Sequence, residues 1–197
     1  MNKAVCVFCG SAAGARPSYS AAARELGEAL ARSGIALVYG GGKLGLMGIL
    51  ADAVLQAGGH VIGVIPRMLI EREAAHPNLT RQHVVTTMHE RKMMMFERSD
   101  SFVILPGGIG TLEEVVELLS WRRLDLHAKP VVFYNPRDFY RTLFELFQMT
   151  VDEQLTPPGF MDSYRSVEHV EDILPAIASM RAPTTPVPDK ATAARLT

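Results

Sequence analysis

The stretch Phe102-Val103-Ile104-Leu105-Pro106-Gly107-Gly108-Ile109-Gly110-Thr111-Leu112-Glu113-Glu114 decides the fold. Its first four residues are all apolar, the mark of a strand buried on both faces. A tight Pro-Gly-Gly-x-Gly loop follows, and Thr111 to Leu124 has the pattern of a helix. A strand with no polar alternation belongs to a sheet covered on both sides, which is the habit of parallel sheets.

The same grammar extends in both directions. Short apolar runs at Ala4–Phe8, Ala36–Tyr39, His60–Ile65, Gln82–Val85, Val131–Tyr134 and Tyr164–Val167 read as strands. Amphipathic stretches between them predict helices over Ser18–Ser33, Leu46–Ala57, Met88–Arg98, Phe139–Val151 and Val170–Met180. Gly34 and the pair Gly58-Gly59 stand where helices stop. Glu71 to Leu79 is polar and irregular, and an exposed loop is expected there. The alternation predicts an α/β fold: a Rossmann-like, doubly wound, mostly parallel sheet with helices on both faces, in a single domain. That domain is expected over residues 1–180. The Pro/Thr/Ala-rich remainder, 181–197, is expected to be a disordered tail.

Bulk properties narrow the partners. With 197 residues, 48% hydrophobic, 21% charged and a formal net charge of −1, the chain has no general pull toward nucleic acid or anionic membrane. No apolar run approaches the roughly 18 residues needed to cross a bilayer, and the opening MNKAVCVFCG lacks a long h-region. A cytoplasmic location is expected. Cys6 and Cys9 form a C-x-x-C pair, but in an extended segment that spacing sends the side chains to opposite faces. Buried core thiols are expected rather than a redox or zinc pair. The six histidines show no ligand spacing, so no metal is expected.

Three glycine-bearing loops follow strands. Gly40, Gly42 and Gly45 fit G-x-G-x-x-G, yet the tip of the next strand, Val64-Ile65-Pro66-Arg67, lacks the acidic residue a dinucleotide site uses. Lys43 is not followed by Ser or Thr, which excludes a Walker A loop. Close packing and a tight turn are a better account of those glycines than a nicotinamide site, and a nucleotide of another kind stays open. The Gly107 to Gly110 loop is different, because it opens directly onto a helix N-terminus. There unpaired amides and the helix dipole favour an anion, most often phosphate, and Thr111 can add a hydroxyl. Thr111-Leu112-Glu113-Glu114 also fits a capping box, which leaves Glu114 open between cap and catalytic carboxylate. A third group, Met88-His89-Glu90-Arg91-Lys92, sets two cations near a helix start, where the macrodipole disfavours them. Either an external anion or plain solvation answers that mismatch.

Taken together, VCVFCGS, VYGGGKLGLMG, MHERKMMM and PGGIGTLEE closely resemble the Lonely Guy (LOG) family, across roughly residues 3–180. The family comprises cytokinin riboside 5′-monophosphate phosphoribohydrolases, often labelled lysine decarboxylases. The resemblance implies hydrolysis of the N-glycosidic bond of an N6-substituted AMP to free base and ribose 5-phosphate, without a cofactor. It implies Arg91 and Glu114 as the catalytic pair. It implies substrate contacts from Gly10, Ser11, Glu73, Arg91, Lys92, Gly108, Ile109, Gly110, Thr111, Leu112, Glu113, Glu114 and Ser120. Ile109 stands where an aromatic residue is common in the family, and Ser120 where Thr is common. A homodimer with sites near the interface is also implied. A broader nucleoside monophosphate nucleosidase and a non-catalytic nucleotide-binding protein are the alternatives.

Overall fold

A computed structural model describes residues 3–71 and 74–180. Glu73 and the expected tail, 181–197, lie outside the described residues.

Among the described residues, seven strands form one sheet: β1 (Ala4–Phe8), β2 (Ala36–Tyr39), β3 (Val61–Pro66), β4 (Arg81–Val85), β5 (Ser101–Ile104), β6 (Val131–Tyr134) and β7 (Arg165–Val167). Their spatial order is β4-β3-β2-β1-β5-β6-β7, and every pairing is parallel. Six α-helices among the described residues connect or close them: α1 (Pro17–Arg32), α2 (Gly45–Gln56), α3 (Met88–Glu97), α4 (Ile109–Arg123), α5 (Arg141–Asp152) and α6 (Ile173–Met180).

Alternation along each strand divides the core in two. Val5, Val7, Leu37, Tyr39, Val103 and Leu105 face α1, α2 and α6, where they meet Leu26, Leu30, Leu50 and Ile173. Ala4, Cys6, Phe8, Val38, Phe102 and Ile104 face the other way, onto Met95 of α3 and Val115, Leu118 and Leu119 of α4. Each fully buried Leu, Val or Phe contributes about 1.5–3 kcal/mol of burial free energy, so both layers are held hydrophobically. Cys6 and Cys9 fall in opposite layers, and both are buried free thiols.

Most expected elements lie within two residues of their observed bounds. The expected last helix, Val170–Met180, divides into a 3-10 turn at Val170–Asp172 and then α6. Pro175 sits in the first turn of α6, where a missing N–H costs little. The Glu71–Leu79 segment is not simply an exposed loop. It carries His76, buried, whose Nε2 meets Asp52 at 3.0 Å and whose backbone N–H donates to Gly41 O at 3.0 Å. No described helix is long and apolar enough to cross a membrane.

Candidate active site

The strand order turns back at β1. Successive strands β1 to β4 run one way from it, and β5 to β7 the other. Loops leaving the carboxyl ends of β1 and β5 therefore diverge and open a crevice, the place where doubly wound sheets hold ligands. The two loops are Gly10-Ser11 and Pro106 to Gly108, tied by Gly10 N–H donating to Pro106 O at 3.2 Å. Between them lies a cavity of about 270 Å³, walled by Cys9, Gly10, Ser11, Gly40, Met47, Arg91, Gly108 to Thr111 and Glu114. A larger hollow, about 540 Å³, opens at the other end of the strands beside Gly34, Gly58 and His60. It lies at the amino edge of the sheet, away from the diverging loops, and brings together neither Arg91 nor Glu114.

Arg91 is the buried cation of the cavity, 5% exposed. Its helix starts on a true capping box: Thr87 accepts from Glu90 N–H, and the Glu90 carboxylate receives Thr87 N–H. Glu90 thus supplies the anion the helix dipole favours. The Arg91 side chain leaves the helix end for the sheet, donating through Nη2 to Gly40 O (2.8 Å) and through Nε to Val64 O (3.2 Å). Plain solvation of Arg91 is therefore corrected: strand-end carbonyls hold its guanidinium. Gly40 makes room for it, since a Cβ there would overlap Arg91 Nη2 and stand 3.1 Å from Cζ.

The expected capping box at Thr111 and Glu114 is also corrected. Helix α4 begins two residues earlier, at Ile109, with Gly108 in extended conformation as its N-cap and no side-chain cap. Leu112 N–H closes the first turn onto Gly108 O at 3.1 Å, so Ile109, Gly110 and Thr111 present the leading amides of the helix. A Cβ at Gly108 or Gly110 would meet nothing within 4 Å. Glu114 lies further along α4, in the cavity wall, and its carboxylate is near enough to Cys6 and Cys9 to oppose their ionisation. Burial first, and that carboxylate second, push both thiols well above their ordinary pKa.

The remaining implied residues scatter. Lys92 reaches Glu113 and Glu117 of α4 rather than the cavity. Leu112 packs its side chain into the core. Ile109, 84% exposed, stands at the mouth. Ser120 is exposed and nine residues beyond Thr111, about 13 Å along the helix axis. Sequence reasoning did not foresee Cys9, Gly40 or Met47 in the wall: Cys9 read as a core thiol, Gly40 as a packing glycine, and Met47 carried no signal of its own. Among the described residues no group of three His, Cys, Asp or Glu could hold a metal ion.

A protein-family model described as "Possible lysine decarboxylase" matches residues 47–177. A probable cytokinin riboside 5′-monophosphate phosphoribohydrolase of Oryza sativa subsp. japonica is 51% identical over 155 residues, covering 79% of this chain and 68% of the rice protein. A cytokinin riboside 5′-monophosphate phosphoribohydrolase of Rhodococcoides fascians is 45% identical over 182 residues, covering 92% and 90%. Among solved structures, the molybdenum cofactor binding protein of Rippkaea orientalis superposes with a TM-score of 0.70 over 91% of this chain and 98% of that one. At 21% identity that likeness shows the fold alone. Paired Arg91 and Glu114 motifs, the open crevice at β1 and β5, and identity of this extent over most of the chain agree: the chain belongs to the LOG family of phosphoribohydrolases.

Proposed function

We propose that this chain hydrolyses cytokinin riboside 5′-monophosphates, with Arg91 and Glu114 acting in one cavity. The observation that carries the assignment is their convergence there beside the open N-terminus of α4. The leading amides of α4, with Gly10 and Ser11 opposite, take the 5′-phosphate. Phosphate binding then places the ribose over Glu114, so that remote binding energy serves the reacting bond. As the bond from C1′ to the base nitrogen stretches, positive charge grows on the ribose. The Glu114 carboxylate stabilises that charge and orients the incoming water. Water adds its oxygen to C1′, the base leaves with the bonding pair and receives a proton, and ribose 5-phosphate remains. Arg91, fixed by two carbonyls, has its charge directed into the cavity toward phosphate or leaving base. The protein works in the cytoplasm and needs no cofactor.

Incubation with isopentenyladenosine 5′-monophosphate should release isopentenyladenine and ribose 5-phosphate, faster than AMP releases adenine. Equal rates would move the assignment to a broad nucleoside monophosphate nucleosidase. No release from any nucleoside monophosphate would leave a binding protein.

The enzyme is a homodimer in this reading. Ile109, Glu113, Val116 and Ser120 recur at spacings of four, three and four, so they form one stripe along α4. All four are exposed in the single chain. A second copy laid on that stripe would cover Val116 and bring Ser120 toward a neighbouring site. Light scattering giving twice the chain mass is expected; a monomer at working concentration would overturn it.

A further inference from the structure

We propose that Lys92 is a positioning residue that sets Glu114 against Arg91, and does not itself grip the nucleotide. The inference rests on the proposed hydrolysis and refines its site.

Successive residues on a helix point about 100° apart. Arg91 goes under the sheet edge, and Lys92 therefore turns sideways, toward α4. Its Nζ bonds Glu113 and lies 2.9 Å from Glu117. Those two carboxylates are one turn apart on α4 and flank Glu114. The ammonium is well enclosed while its partners are more open. Burial works against its charge, but the hydrogen bonds to Glu113 and Glu117 outweigh that and raise its pKa. Lys92 and Glu114 also line a crevice of about 10 Å³ with Phe8, Phe96 and Trp121, but Lys92, unlike Glu114, does not line the substrate cavity. Lys92 thus meets the Glu114 turn of α4 outside the wall of the substrate cavity.

Three carboxylates within about one turn of α4 repel one another, and one ammonium from α3 bridges two of them and offsets part of that repulsion. The same contact clamps α4 to the helix that carries Arg91. The tandem Arg-Lys therefore divides two tasks: one cation enters the cavity, and the next fixes the distance to its catalytic partner.

Lys92→Met should lower kcat about 10- to 100-fold per folded enzyme with KM changed by less than about threefold. Lys92→Arg should recover most of the rate. The double variant Glu113→Gln/Glu117→Gln keeps the lysine but removes its anchors, and should lose kcat to a similar degree. Adding Lys92→Met to that double variant should then cost little more. A raised KM with intact kcat in Lys92→Met, or normal kcat in the double variant, would overturn the proposal. Should Lys92→Met fail to fold, the double variant decides. If the wild type turns over no nucleotide, the hydrolytic assignment falls instead. Titration with AMP then decides for Lys92: unchanged affinity in Lys92→Met upholds a lysine that does not touch the nucleotide, and a tenfold loss overturns it.

Discussion

Replacing Gly40 by alanine tests the seat of Arg91 with a single methyl group. The new Cβ would overlap Nη2 and lie 3.1 Å from Cζ. Ordinary non-bonded separation is about 3.5 Å or more, so the guanidinium must withdraw by roughly 1 Å. Withdrawal breaks the 2.8 Å bond to Gly40 O and weakens the one to Val64 O. Misplacement on that scale costs about 100-fold in rate, or about 2.7 kcal/mol of transition-state stabilisation. Folding stability should suffer an overpacking cost of about 1–3 kcal/mol, which leaves the protein folded at room temperature. The assay is chromatographic release of isopentenyladenine from its riboside monophosphate, with urea unfolding on the same preparation. A folded Gly40→Ala enzyme with kcat/KM within about threefold of wild type would refute the idea that this carbonyl-held guanidinium serves catalysis. An equal loss from a variant that no longer unfolds cooperatively would not support it.

Gly108→Ala meets no packing obstacle, so it should keep its unfolding midpoint yet raise KM about tenfold by crowding the phosphate at the α4 amides. Thr87→Ala removes the capping box of α3 and should lower stability by about 1 kcal/mol in urea unfolding. Glu114→Gln, which breaks no cap because Gly108 is the N-cap of α4 and no side chain caps it, should stay folded and lose at least about 100-fold in turnover. Both cysteines have their pKa raised by burial and by the Glu114 carboxylate. At pH 8 the native protein should therefore react with a thiol-specific disulfide reagent only slowly, and two thiols per chain should react at once in denaturant.

The fold was legible because the apolar runs are short and unbroken. Phe102 to Leu105 and Val131 to Tyr134 are too short for helices, rich in β-branched and aromatic residues and flanked by Pro or Gly, which reads as strands covered on both faces. Strand order was less accessible, since it follows from how the crossovers pack rather than from any one segment. Helix starts were harder still. Two of the chain's four Thr-x-x-Glu sequences, Thr87 to Glu90 and Thr111 to Glu114, stand where a helix is expected to begin, and local spacing cannot rank them. The first is the capping box. At the second, Gly108 lets the chain enter the helix from an extended conformation, so the helix winds two residues early and Thr111 already lies inside it. The polar segment around His76 misled for a related reason. Its composition is that of an exposed loop, while its anchor is an imidazole reaching back 24 residues to Asp52.

The site shows the same limit more sharply, and Gly40 is the case in point. In sequence it belongs to G-x-G-x-x-G, a dinucleotide fingerprint without its acidic partner. In the fold it answers a different question, namely how Arg91 tolerates burial. A buried guanidinium needs acceptors, and carbonyls at the carboxyl edge of a parallel sheet supply them at Gly40 and Val64. One of those carbonyls is within reach only because its residue has no side chain. The two cations at the start of α3 are thus not a local anomaly of that helix. They balance groups 51 residues away on one side and 21 residues away on the other. Separations of that length carry no period for a sequence pattern to reveal. What the sequence did contain was the conjunction itself: a tandem Arg-Lys, a glycine after β2, and a carboxylate past a glycine loop. Each is weak alone, and the fold gives them one meaning by bringing Gly40, Arg91 and Glu114 to a single cavity beside the switch point between β1 and β5, with Lys92 tied to the helix that carries Glu114.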